Sequence, residues 1–320
     1  MGYAVMKIQK IAQYLTNANY RFSVNDAHGL YKNMKDETYI KTKYYVRNGK
    51  RLDLVNPKTY TEKIQWLKLY DHRPIYTQLV DKIESKKVVA KMIGNCHIIP
   101  TLGTWNSFDD IDFESLPNQF VLKCSHDSGG IIICSDKKSF DIEKARKKIN
   151  RSLCHNYYLQ GREWPYKDVP HRILAEKYIV DNRVKEYDPN NAANGLIDFK
   201  FYCFNGEPRF LYVGFANIQN GEKHDQLSFF DFDWKPTPFY RIDHEPLPFI
   251  IDRPDNLDEM IEIARQLSSK IPFVRVDLYN IDGQILFSEM TFAPGSGFCP
   301  FCPEEWERKI GDWIVLPIDK

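Results

Sequence analysis

Apolar residues recur along this chain at two spacings. From Thr59 to Tyr70 (TYTEKIQWLKLY), Ile64 and Leu67 with Trp66 fall near helical spacing, with Thr59 or Thr61 as the cap. Asp81 to Ile93 predicts a second helix carrying Lys82, Lys86, Lys87 and Lys91, ended by Gly94. Ser139 to Leu153 predicts an amphipathic helix with Ile142, Ala145, Ile149 and Leu153 inward, and Asp258 to Ser269 another. Met6 to Leu15 reads as a short amphipathic helix with Lys7 and Lys10, expected to lie on the domain; attachment to a membrane surface is its other reading. Short runs rich in β-branched and apolar residues predict strands: FVLKC, IIIC, ILAEKYI, and a hairpin of Phe199–Phe204 with Pro208–Phe215 around Asn205-Gly206. Strands alternate with helices, but hairpins are frequent. The pattern therefore predicts an α+β fold with antiparallel sheets rather than a doubly wound parallel one.

The last predicted hairpin carries the most chemistry. Val274–Tyr279 and Gln284–Thr291 flank Asn280-Ile281-Asp282-Gly283. A three-residue loop, Ile281-Asp282-Gly283, would be a type I turn closed by a glycine bulge. That register pairs Asn280 with Gln284, so Arg275 faces Glu289 and Asp277 faces Phe287. Arg275, Asp277, Glu289 and Thr291 then share one face with Tyr279, Ile285 and Phe287. Val274, Val276, Leu278, Leu286 and Met290 form the core face, with Ser288 as the exception. A two-residue loop would put Asp277 and Glu289 on opposite faces. The cluster reads either as a solvated ion-pair face or as a metal site. Two carboxylates suit Mg²⁺, which takes few protein ligands and completes its shell with phosphates. After the strand, Ala293-Pro294-Gly295-Ser296-Gly297 leaves free backbone N–H groups of the kind that suit anions.

Composition narrows the picture only a little. A net charge of +1 over 320 residues makes no case for a nucleic-acid partner. Seven scattered cysteines point to free thiols in a reducing, cytoplasmic compartment; the lone Cys299-Pro300-Phe301-Cys302 pair is weak evidence for zinc or redox chemistry. No apolar run is long enough to span a membrane. Lys123 sits near the end of a strand, followed by Cys124-Ser125-His126-Asp127-Ser128-Gly129-Gly130. Small residues let backbone N–H groups approach a phosphate, and a lysine adds a point charge. A simple hairpin turn is the plainer reading.

Seven segments in order, VNPKTYTEKIQWLKLYD, FVLKCSHDSGG, GREWPYK, ILAEKYI, DFKFYCFNGEP, PFVRVDLYN and SEMTFAPGSGF, resemble the signature segments of the TupA-like group of the ATP-grasp superfamily. The resemblance runs from about Asn56 to the C-terminus. It implies two α+β lobes clasping ATP between antiparallel sheets: a helical region over residues 1–75, a first lobe over 76–175 and a second over 176–320. By this resemblance Lys82 and Lys123 contact phosphates, and Ser128, Gly129 and Gly130 close over them. Glu176, Lys177, Tyr178 and Ile179 form the inter-lobe strand that meets adenine. Asp277 and Glu289 hold Mg²⁺, with Thr291 where many members have asparagine.

The resemblance also implies a ligase that activates a carboxylate as an acyl phosphate for attack by an amine, releasing ADP and phosphate. The acid would be a uronic acid of a bacterial capsular or surface polysaccharide, as sugar nucleotide, lipid-linked unit or polymer. The amine would be an amino acid or small amino alcohol. Arg275, Lys123 and Lys200 are the catalytic candidates. Arg162, Trp164, Ser296 and Gly297 are the substrate candidates, with a structural Arg162–Glu163 pair and packed aromatics as the plain alternative. Two rival activities are a glycan phosphotransferase on the same fold and a glycosyltransferase using Asp231-Phe232-Asp233 as a DxD motif.

Overall fold

In a computed structural model of the protein, residues 2–184, 195–219 and 222–318 are described, without the side chains of residues 2–6, 216–219 and 222–225. The chain opens with four helices: α1 Gly2–Thr16, α2 Ala18–Ala27, α3 Asp36–Asn48 and α4 Tyr60–Tyr70. Thr59 caps α4 in a full capping box with Glu62, which satisfies two otherwise unpaired N–H groups. The predicted helix from Asp81 is shorter than the pattern suggested. Helix α5, Pro74–Val80, ends on Asp81, and α6, Glu84–Ile93, follows, so Lys82 lies in the turn between them.

Strands β1 Thr101–Trp105, β2 Phe120–Cys124, β3 Ile131–Cys134 and β4 Ile173–Lys177 form an antiparallel sheet in the order β1-β4-β2-β3. Helix α7, Ile142–Leu153, covers it, burying Ala145 and Ile149 against Phe120, Leu122 and Ile173. Its cap is Asp141, which accepts from the Lys144 N–H. The short helix α8, Tyr158–Gly161, precedes β4.

The second sheet is also antiparallel, in the order β7-β6-β5-β8-β9: β5 Ile197–Phe204, β6 Glu207–Gln219, β7 Glu222–Phe230, β8 Phe273–Ile281 and β9 Gln284–Thr291. One face is core. Phe199, Phe201, Val274, Val276 and Leu278 bury against Met260, Ala264 and Leu267 of helix α9, Leu257–Ser268. Alternation then turns residues 198, 200 and 202 of β5 and 275, 277 and 279 of β8 to the other face. Helix α10, Glu304–Asp312, closes on α4, where Glu307 accepts from the Thr61 N–H and hydroxyl, both at 2.7 Å.

The β8–β9 register corrects the three-residue loop. The turn is the two residues Asp282-Gly283, φ 50° and 85°, between paired Ile281 and Gln284. Left-handed conformations at both positions match the twist of a two-residue hairpin. Alone, this turn would separate Asp277 from Glu289. A β-bulge at Ser288 undoes that: Leu278 pairs with Phe287, but Asp277 pairs with Glu289 and Arg275 with Thr291. Ile285 and Phe287 therefore lie in the core, not beside the carboxylates, and Leu286 takes the other face.

Candidate active site

Strand register builds the site. Tyr212, Lys200, Asp277 and Glu289 form one row across β6, β5, β8 and β9. The adjacent row is Tyr202, Arg275 and Thr291. Arg275 grips Asp277 through two parallel bonds, Nε to Oδ1 and Nη2 to Oδ2, each 2.7 Å. Its Nη2 also donates to Thr291 Oγ1 at 3.0 Å and lies 3.5 Å from Glu289 Oε1. Lys200 Nζ donates to Asp277 Oδ2 at 2.6 Å and lies 3.4 Å from Asp198 Oδ2.

The two facing carboxylates differ in their surroundings. The Asp277 side chain is 0% exposed and its oxygens are fully engaged by Arg275 and Lys200, whereas that of Glu289 is 36% exposed. Burial would raise the Glu289 carboxyl, but Lys200, Lys82 and Arg275 pull it down to about 2. Asp198 is raised by burial, against the pull of Lys200, and its Oδ1 is buried with no hydrogen-bond partner among the described residues.

The first sheet supplies further cations. Lys123 on β2 pairs with one oxygen of buried Glu176, and Lys86 on α6 with the other. Burial would raise Glu176, but these two lysines hold it below the ordinary glutamate range. Lys123 is close enough to Glu289 and Tyr279 to be influenced by both. Lys82 donates to the carbonyl of Asp127 and lies near Glu289. The loop after Lys123 is tightly built at its base. Asp127 accepts from the Gly130 N–H at 3.0 Å, and His126 is buried against the carbonyls of Ser152 and His155. A Cβ on Gly130 would meet Ser152 Oγ at 2.4 Å and Cys124 Sγ at 2.8 Å, so only glycine fits. Ser128 and Gly129 are exposed at the tip, and nothing lies within 4 Å of a Cβ on Gly129. Glu176 ends β4 with Lys177, which is exposed; Tyr178 and Ile179 are half-buried beyond it.

The substrate candidates are more dispersed. Arg162 sits in a left-handed turn after α8 and points into the helical region. Its Nη2 donates to the carbonyl of Tyr31 at 2.7 Å, and its guanidinium lies over the Tyr39 ring. Its partners are carbonyls and Asp36 of the helical region rather than Glu163. Trp164 stacks on His72 at 4.6 Å. Ser296 and Gly297, both left-handed, are held against α4: Gln65 donates to both carbonyls, and Lys68 to that of Ser296 at 2.8 Å. Ser296 Oγ donates to Glu163 Oε1 at 2.8 Å.

Lys68 escaped the sequence reading, and Glu163 entered it only as a pair partner for Arg162. Both are buried and line a small cavity with Tyr76 and Phe292. No local motif marks them, because their meeting depends on α4 docking beside residues a hundred positions away. Asp198 did have a signal, alternation with Lys200 in DFK. The Asp231-Phe232-Asp233 motif is a turn: Asp231 accepts from the Lys235 N–H at 2.8 Å, and Asp233 faces Lys235 Nζ. Cys299 and Cys302 are free thiols, and the side chains of His224 and Asp225 lie outside the described residues. Among the described residues, no helix is long and apolar enough to cross a membrane.

A family model described as TupA-like ATPgrasp matches residues 62–315. Among solved structures, a D-alanine–D-alanine ligase from Bacillus anthracis is 17% identical, with a TM-score of 0.37, 67% of this chain covered and 57% of that one. The ATP-grasp ligase PsnB, complexed with a phosphomimetic precursor variant, Mg and ADP, is 8% identical, with a TM-score of 0.41 and coverages of 84% and 65%. A RimK domain ATP-grasp protein from Sphaerobacter thermophilus is 9% identical, with a TM-score of 0.38 and coverages of 75% and 69%. The chain thus spans little more than half the length of the Bacillus anthracis ligase. Membership rests on the family match over residues 62–315. A comparison with curated proteins finds no match. With most of its length matched, and with two antiparallel sheets each bearing charged groups at one cleft, the chain belongs to the TupA-like ATP-grasp family, a family of ATP-dependent ligases.

Proposed function

We propose that the protein joins a carboxylate to an amine at the expense of ATP, through an acyl phosphate. The acid is a uronic acid of a bacterial surface polysaccharide or its precursor; the amine is an amino acid or small amino alcohol. The observation that carries the reading is the meeting of Lys200, Arg275, Asp277 and Glu289 on one sheet with Lys123 from the other sheet and Lys82 from the α5–α6 turn.

The donor set fits Mg²⁺ with one rearrangement. Glu289 offers an ionised, partly exposed oxygen. Asp277 would join it only when Lys200 moves off Oδ2, and a phosphate oxygen is the natural new partner for that ammonium. Among the described residues no group of three or more acidic, histidine or cysteine ligands is assembled. Mg²⁺ does not need one, since it keeps water and phosphate ligands. Thr291 already accepts from Arg275 and is better suited to orienting it than to ligation. Bound Mg²⁺ would neutralise charge on the nucleotide phosphates.

The remaining work belongs to the chain. Lys82, Lys123 and the N–H groups of Ser128 and Gly129 hold the phosphates, while the Gly130 N–H stays on Asp127 at the base of the loop. Glu176 orients Lys123, and Lys177 to Ile179 lie where the nucleoside enters. A carboxylate oxygen attacks the γ-phosphorus and the bond to ADP breaks; Lys200 and Arg275 neutralise the charge that develops. The amine nitrogen then attacks the acyl carbon, phosphate leaves, and the nitrogen loses a proton. Ser296 and Gly297 border the acceptor side. The test is phosphate release from Mg-ATP with galacturonate or glucuronate and a panel of amines. Release that needs both acid and amine supports ligation. Phosphorylated sugar without amine dependence would select a phosphotransferase instead.

A further inference from the structure

The near-neutral total charge hides a strong asymmetry. Residues 1–51 carry ten lysines and arginines against three acidic residues, a net +7; with the whole chain at +1, the rest sums to −6. This basic segment precedes the region matched by the ligase family, which begins at residue 62. Lys7, Lys10, Lys32, Lys35, Arg47 and Arg51 are exposed and have no ion-pair partner among the described residues. Helix α1 contains no acidic residue. Tyr14 anchors it to α2 by donating to Asn25 at 2.8 Å. Ile8, Ile11 and Leu15, spaced to share one face, remain 66%, 54% and 68% exposed. The sequence-based expectation of a helix whose apolar side lies on the domain is therefore not met.

We propose that this N-terminal helical segment docks the enzyme on an anionic lipid surface, with α1 lying in the headgroup layer, its isoleucines and leucine toward the acyl chains and its lysines toward the phosphates. The apolar row decides among polyanions: an acidic glycan would satisfy the lysines but offers no hydrocarbon to three exposed aliphatic side chains. A second copy of the chain is disfavoured by bringing two +7 segments together. Surface docking confines the ligase to the place where a lipid-linked acceptor is presented. The docking itself does not depend on the ligase reading.

The experiment sediments the full chain with phosphatidylcholine vesicles containing about a third phosphatidylglycerol, with pure phosphatidylcholine vesicles, and mixes it with soluble polygalacturonate. Binding to the anionic vesicles is expected to exceed binding to the neutral ones by about tenfold or more and to weaken in high salt. The triple variant Ile8→Asp, Ile11→Asp, Leu15→Asp should lose it. Lys7→Glu with Lys10→Glu, which leaves the apolar face intact, should weaken it by several-fold. Nucleotide binding and thermal midpoint should not change in either. Failure of the wild type to sediment with anionic vesicles overturns the proposal, as does undiminished binding by the triple variant. So does binding to polygalacturonate alone, or a dimer in light scattering that the triple variant dissociates.

Discussion

Asp277 and Glu289 face each other across two strands, yet their environments assign them different work. Asp277 neutralises two buried cations, Arg275 and Lys200. Replacing it with alanine leaves both without their main counter-charge, so Asp277→Ala should cost about 3–5 kcal/mol in urea unfolding. Glu289 is partly exposed and screened by solvent, so Glu289→Ala should cost clearly less in urea unfolding than Asp277→Ala while phosphate release falls by about 10²–10³. Equal stability losses in the two variants would contradict this division. Lys68 makes a different prediction. Burial pushes its ammonium down from 10.5 to about 7, with Glu163 as the main opposing influence. A lysine that holds its proton less tightly when folded adds stability as pH rises, so its contribution should grow between about pH 7 and 10. Lys68→Met should flatten that rise in unfolding curves measured across this window; an unchanged slope would show that Lys68 is not responsible.

At the scale of elements, the Ser288 bulge holds the site together. Deleting Ser288 removes the extra residue and forces a choice: Glu289 turns into the core, or the hairpin slips by one position. Either way turnover should fall at least as far as in Glu289→Ala, with a larger stability loss than in Glu289→Ala, readable by comparing thermal midpoints and phosphate release. The same bulge shows where sequence reading stops. Alternation in Val274–Tyr279 and the Asp282-Gly283 turn were legible because they are local. The bulge was not: a serine in a strand looks the same whether paired or extra. A three-residue loop would keep the carboxylates together, and the structure achieves that result by another route. Helices α4, α7 and α9 were legible from their spacing and caps. The direction of Arg162 was not, since carbonyls of Tyr31, Lys32 and Met34 compete for it with any ligand.

At the scale of the molecule, Lys123 of the first sheet and Lys82 of the α5–α6 turn approach the charged face of the second sheet, and a basic helical segment precedes them. Helices α5 and α6 pack into the core of the second sheet through Tyr76, Leu79 and Val89, and beside them His97 Nδ1 meets the carbonyl of Ile285 at 2.9 Å and Ile98 bridges to Phe287. Lys82 follows α5 directly and so stays near Glu289, while the tip of the Ser128-Gly129 loop is exposed. Lys82, Lys200 and Arg275 act on Glu289 and Glu289 acts on Lys123, a gathering of four cations that suits a polyphosphate. Calorimetric titration of the wild type and of Lys123→Met with AMPPNP, with and without Mg²⁺, tests this most directly. The wild type should bind one equivalent, tighter with Mg²⁺, and Lys123→Met should lose about tenfold or more in affinity while remaining folded. No binding by the wild type under either condition, or equal affinity in Lys123→Met, would contradict an ATP site between the sheets.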